Sequence, residues 1–162
     1  MECRYCSSRI LDIATCGSSR KLSKEQVWCN LKSNIESVYA TFPVERFPLP
    51  SEEDVSNFEA RLKISLPLHY RRFLLEYNGG CFSDPNPYIT PLLKECPVDA
   101  LDALWGIHAT YDFAELGHDV DLFDDNDPLI VLPIGYTEMG NLLYLAVGEN
   151  EHGAVCLKLK LS

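Results

Sequence analysis

The sequence predicts an α+β fold with an antiparallel sheet. Two observations carry this. Three segments before residue 80 place apolar residues at the three-and-four spacing of a helix face. Three segments after residue 128 are short apolar runs rich in Leu, Ile and Val and bounded by turn residues. Helices come first and strands after, without the alternation that builds parallel sheets, and no segment repeats.

Residues 1–22 are polar and irregular and read as a flexible leader, with residues 23–162 as one domain. Ser23 and Gln26 match a capping box. Val27, Trp28, Leu31, Ile35, Val38 and Phe42 then mark a helix over about 24–40. Phe47-Pro48-Leu49-Pro50 is a rigid connector. Ser51 caps a second helix whose first turn holds Glu52, Glu53 and Asp54, where carboxylates complement the helix dipole. Val55, Phe58 and Leu62 form its buried stripe.

The third helix is the best defined. Pro67 suits its first turn, Tyr70, Phe73, Leu74 and Tyr77 form one stripe, and Asn78-Gly79-Gly80 supplies a left-handed stop. Pro85, Pro87, Pro91 and Pro97 then imply loops, with a short strand near Cys81-Phe82. Strands are expected at 104–107, 129–134, 142–147 and 154–159, a helical turn or two over 111–116, and polar connections at 118–127 and 149–153. Trp28, Phe58, Tyr70, Phe73, Leu74, Leu132 and Leu145 are expected in one core.

A chain of 162 residues is long enough for one domain with a substantial core. No apolar run approaches the ~20 residues of a membrane helix, and the apolar patch at Ile10 to Ala14 is too short and broken for a signal peptide. Seven scattered cysteines fit thiols in a reducing compartment, so a cytoplasmic location is expected. Charge is uneven: residues 1–46 carry seven basic and five acidic side chains, whereas 47–162 carry seven and nineteen. Such an acidic surface repels phosphate backbones and argues against nucleic-acid binding. It either keeps the protein soluble or draws in a basic partner.

Chemistry-bearing patterns are sparse. Cys3 and Cys6 have zinc-ligand spacing, but Cys16 and Cys29 lie thirteen apart, and Cys29 falls inside a helix pattern, so no metal site is expected. Gly135 to Gly140 opens like a phosphate-binding loop but continues Asn141-Leu142 instead of Lys-Ser/Thr. No HExxH or G-x-S-x-G pattern occurs, and His69 reads as structural. Asp119-x-Asp121 and Asp125-x-Asp127 are fragments of a calcium loop without its glycine. Neither enzymatic activity nor a cofactor is expected.

The order of segments resembles the SUKH superfamily, the group containing the yeast cell-wall synthesis regulator and many bacterial immunity proteins. The residues that carry the resemblance are Trp28, the pattern Glu59…Leu66-Pro67-x-x-Tyr70-x-x-Phe73-Leu74 ending in Asn78-Gly79-Gly80, the strand Leu132-Pro133-Ile134-Gly135, Gly140-Asn141-x-x-Tyr144-Leu145, and Gly153-Ala154-Val155. It covers roughly 24–160, and the Asp that often follows the Gly-Asn strand is absent, Ala146 following Leu145. The resemblance implies helices on a curved antiparallel sheet and a non-enzymatic protein-binding domain. Its expected role is an immunity protein that neutralises a basic, nuclease-type toxin domain. The alternative is a regulatory scaffold recruiting signalling or cell-wall-synthesis partners. The expected partner-binding residues are Asp119, Asp121, Asp124, Asp125 and Asp127 in the acidic loop, Tyr136 and Glu138 in a turn from 135 to 141, and Trp105. Tyr136 and Trp105, where exposed, are the expected anchors, and the Asp cluster is expected to speed association.

Overall fold

A computed structural model describes residues 24–89, 99–118, 131–147 and 155–158. The leader with Ser23, Cys3, Cys6 and Cys16, the acidic run 119–127, Leu129, Ile130 and the turn 149–153 lie outside the described residues.

The first helix, α1 (Lys24–Thr41), ends just before Phe42-Pro43, and the Thr41 hydroxyl donates to the Ser37 carbonyl at 2.7 Å. It buries Trp28 and Tyr39 and lays Leu31, Ile35, Val38 and Phe42 against the same core, as their spacing dictates, while Cys29 is exposed. A strand, β1 (Val44–Arg46), follows. Its sequence shows no apolar alternation, and only pairing with another strand makes it one.

Helix α2 (Glu52–Leu62) opens with a reciprocal capping box. Asp54 N–H donates to Ser51 Oγ at 3.1 Å, and Ser51 N–H donates to the Asp54 carboxylate at 2.8 Å. It closes on Lys63 at φ 54°.

Helix α3 (Leu68–Glu76) begins one residue later than expected, with Pro67 as its extended cap and Pro67 O accepting Arg71 N–H at 2.9 Å. Arg71 clamps α3 to α2 by donating to Glu59, Glu52 and Ser56. At its end Tyr77 and Asn78 both donate to Phe73 O, and Asn78, Gly79 and Gly80 take positive φ in succession. A Cβ on Gly79 would stand 2.3 Å from Leu104 O, so only glycine lets the helix end abut the sheet there.

The strands are β2 (Gly80–Phe82), β3 (Tyr88–Ile89), β4 (Asp99–Leu104), β5 (Val131–Thr137), β6 (Leu142–Ala146) and β7 (Val155–Lys158). They form one antiparallel sheet in the order β1-β2-β4-β5-β6-β7, with β3 beside the start of β4. Register breaks at Leu101/Ala103 and at Pro133/Gly135. Bulges of this kind bend strands and raise local twist.

Two expected strands differ from the structure in their bounds. The strand expected at 104–107 is instead β4, ending at Leu104, because the chain leaves the sheet to pass the end of α3. There Gly106 lies so close to Asn78 that a Cβ would meet its carbonyl oxygen at 2.1 Å. The β4 sequence, Asp-Ala-Leu-Asp-Ala-Leu, has low strand propensity, and flanking by β2, β3 and β5 decides its state. β5 runs on to Thr137, so Tyr136 lies in a strand and the turn is confined to residues after it. Pro133 is tolerated in this interior strand at a register break.

The helices cover one face of the sheet. Phe82 meets Tyr39 edge-on at 5.9 Å, and Leu132, Ile134, Leu143, Leu145 and Val155 join the same core. The residues expected to share a core do so, with Tyr70 partly buried at its margin.

Candidate protein-interaction face

The other face of the sheet carries a different chemistry. Pairing aligns Glu45 of β1 with Cys81 of β2, Cys81 with Ala103 of β4, and Ala103 with Tyr136 of β5. Residues directly paired across strands share a face. Phe82 points to the helices, so its neighbour Cys81, and the row with it, points away. The register break adds Asp102 to this row, and Tyr136 hydrogen-bonds the Asp102 carboxylate.

The segment after β4 reaches this face. Tyr111 and Phe113, at a single 3-10 turn (Asp112–Ala114), stack at 5.3 Å and 11°. Phe113 then meets the Tyr136 ring edge-on at 6.3 Å. The Tyr111 hydroxyl donates to Glu45 Oε2 at 3.0 Å. Tyr111 remains 37% exposed and Phe113 54%.

That exposure is built on a fixed base. Ala114 and Leu116 are fully buried, and Gly106 exchanges hydrogen bonds with Ala114 O and Leu116 N. The Glu115 carboxylate accepts from His108 N–H at 3.2 Å and Ala109 N–H at 2.7 Å. Asn78, wholly buried, donates to Ile107 O at 2.6 Å and accepts Ile107 N–H at 2.9 Å. His108 Nε2 lies 3.2 Å from Asp54 Oδ1, which joins the segment to α2.

The face is electrostatically negative. Burial, then the charge and hydrogen bond of Asp102, push the Tyr136 hydroxyl up to about 12. The Glu45 hydrogen bond and charge raise Tyr111. Burial, then Glu45 and Asp102, raise the Cys81 thiol, which suppresses the reactive thiolate. Asp112 is exposed beside Phe113. Among the described residues no group of His, Cys, Asp or Glu is placed to hold a metal ion. Apolar rings set among carboxylates favour a cationic, partly apolar ligand.

Glu138 lies in the turn after β5. It accepts from Asn86 Nδ2 at 2.8 Å, and its N–H donates to Ala100 O at 2.9 Å. The turn is braced by Asn141, whose side chain donates to buried Asp99 at 2.8 Å and whose N–H donates to Thr137 Oγ1 at 3.1 Å. Met139 projects from it, 61% exposed.

Of the residues expected to bind a partner, Tyr136 lies half-buried on the face and Glu138 is exposed beyond the end of its strand. Trp105 is 4% exposed and belongs to the core, so it does not meet the condition of exposure set for an anchor. Asp119, Asp121, Asp124, Asp125 and Asp127 lie outside the described residues. Sequence reasoning missed Tyr111, Phe113, Glu45 and Asp102. The one signal was the aromatic–acidic–aromatic run Tyr111-Asp112-Phe113, read there only as part of a helical turn.

A family model described as the SMI1 / KNR4 family (SUKH-1) matches residues 49–158. Neither the comparison with curated proteins nor that with solved structures returns a significant match. The matched stretch omits α1 and β1, yet Trp28 and Tyr39 of α1 share the core with Phe73 and Leu74 inside it.

Proposed function

The chain belongs to the SMI1/KNR4 (SUKH-1) family, and on that premise we propose that it is a non-enzymatic immunity protein. It binds and neutralises a basic toxin domain, of nuclease type, in the cytoplasm. The observation that carries this reading is the aromatic cluster of exposed Tyr111 and Phe113 with half-buried Tyr136, set among Glu45, Asp102 and Asp112 on the sheet face away from the helices. Nuclease toxins are commonly basic because they bind phosphates. An acidic partner surface accelerates capture of such a domain, and aromatic contacts hold it. The Asp119 to Asp127 run supplies five of the 24 carboxylate side chains that, against 14 Lys and Arg, give the chain its net charge of −10.

Expressing the genes adjacent to its own in the native host, with and without the chain, tests the reading. Host survival and a co-purifying basic domain support it, and a host killed despite soluble chain refutes it. Replacing Asp121, Asp124 and Asp125 together by Asn should lower the association rate roughly tenfold at low salt and flatten its salt dependence, with stability unchanged. Association indifferent to both salt and this change would reduce the acidic run to a solubility feature.

A further inference from the structure

We propose that the Tyr111–Phe113–Tyr136 cluster, with Glu45 and Asp102, is a seat for one arginine side chain of the bound protein partner. This rests on the protein-binding reading above and names the chemistry of its contact.

The first reason is unused aromatic surface on a fixed base. Phe113 is 54% exposed although the residue after it, Ala114, is fully buried and the backbone around it is hydrogen-bonded on both sides. Rigid, exposed rings offer binding area at little conformational cost.

The second reason is charge. Glu45 and Asp102 border the rings, each engaged by a tyrosine hydroxyl that fixes its carboxylate. Among the described residues neither is in an ion pair, whereas Glu52, Glu59 and Glu76 are each paired with Arg or Lys elsewhere in the fold. Among the described residues, the charge complement is absent from this face and present on others.

The third reason lies in how the chain treats its other rings. Arg46 stands 4.7 Å from the Tyr39 ring, Arg61 5.6 Å from Phe58 and Arg72 5.6 Å from Trp28. Among the described residues no such cation lies over the three rings of the outer face. A guanidinium fits this environment better than an ammonium, because its plane stacks on a ring while its N–H fork reaches a carboxylate. Phosphates and other anions are repelled by the same carboxylates, which excludes nucleic acid as the occupant.

The test uses the full chain and three peptides, Gly-Gly-Xaa-Gly-Gly, in which Xaa is arginine, lysine or citrulline, the last an uncharged analogue of arginine. Aromatic proton–carbon NMR follows the Phe113, Tyr111 and Tyr136 rings during titration. The arginine peptide should shift these rings saturably in the millimolar range, lysine should bind roughly threefold more weakly or worse, and citrulline should leave them unmoved. Phe113→Ala should weaken the arginine peptide roughly threefold to thirtyfold, the range expected for a cation–ring contact. Glu45→Gln combined with Asp102→Asn should abolish its salt dependence. Phe113 is exposed, so its variant should keep the wild-type melting temperature. Unmoved rings, equal shifts from citrulline and arginine, or arginine binding undiminished in Phe113→Ala would each overturn the proposal. A toxin still neutralised by the Phe113→Ala, Glu45→Gln, Asp102→Asn chain would sink the arginine seat while leaving the immunity reading intact. Arginine binding in a chain that protects no host would do the reverse.

Discussion

Replacing Asn78 by Ala should be among the most damaging single changes in this fold. Its side chain makes three hydrogen bonds to backbone, donating to Pro48 O and Ile107 O and accepting from Ile107 N–H. Ala leaves the two Ile107 groups buried without partners, at about 1–3 kcal/mol each. The Pro48 carbonyl is nearer the surface, and water offsets part of that loss. Asn78 also sits at φ 53°, a conformation that costs Ala about 1 kcal/mol. The sum is about 3–7 kcal/mol, a large share of the 5–15 typical of a domain. Urea unfolding measures it as a lower midpoint at unchanged slope.

Two companion variants separate the causes. Asn78→Gly loses the same bonds as Asn78→Ala but removes the left-handed strain, so it should recover about 1 kcal/mol of the Ala variant's loss. Asn78→Asp keeps the acceptor and turns an oxygen toward two carbonyls. It should therefore stabilise as pH falls from about 7 to about 5, when a buried carboxylate can take up a proton and donate. Because Asn78 anchors Ile107, the Ala variant should also loosen the turn that carries Tyr111 and Phe113, visible as faster amide exchange there. A cost below about 1 kcal/mol for Asn78→Ala would refute the role assigned to it.

Phe73→Ala should cost roughly 3–5 kcal/mol in the same assay, because Phe73 is buried between Tyr70 and Tyr77, and a loss below about 1 would contradict its place in the core. Asp54 is held at about 2, first by Ser51 and then by His108, against an ordinary 3.8. A depressed carboxyl stabilises above its unfolded value, so this contribution is present above about pH 4 and disappears as pH falls toward 2. Asp54→Ala should flatten unfolding midpoints across that interval, and an unchanged slope would count against the Ser51–Asp54–His108 arrangement. Tyr136 should titrate near 12 when absorbance at alkaline pH is followed, its stabilising contribution being intact below pH 10 and lost as pH rises toward 12. Asp102→Asn should bring that titration down, since the carboxylate and its hydrogen bond are removed while burial remains, and an unshifted value would show that Asp102 does not act on Tyr136.

The sequence by itself determined the helices. Ser51 with Asp54, the Asn78-Gly79-Gly80 stop and the apolar spacing of Trp28, Phe58, Phe73 and Leu74 are local signals, because caps and helix faces are set by residues within about a turn of each other. It also determined the hydrophobic strands β6 and β7 and a net charge of −10. Tertiary structure decided the rest. β1 and β4 are strands through pairing alone, since Val44-Glu45-Arg46 and Asp99 to Leu104 lack the pattern that marks a strand locally. Trp105, a plausible anchor by composition, is in the core because the chain turns inward past Asn78. The face bearing Tyr111, Phe113, Tyr136, Glu45 and Asp102 draws on residues as far apart as Glu45 and Tyr136, 91 positions, joined only by strand register and one bulge. Register is a long-range property, so a single sequence shows which side chains could bind a partner without showing that they share a face.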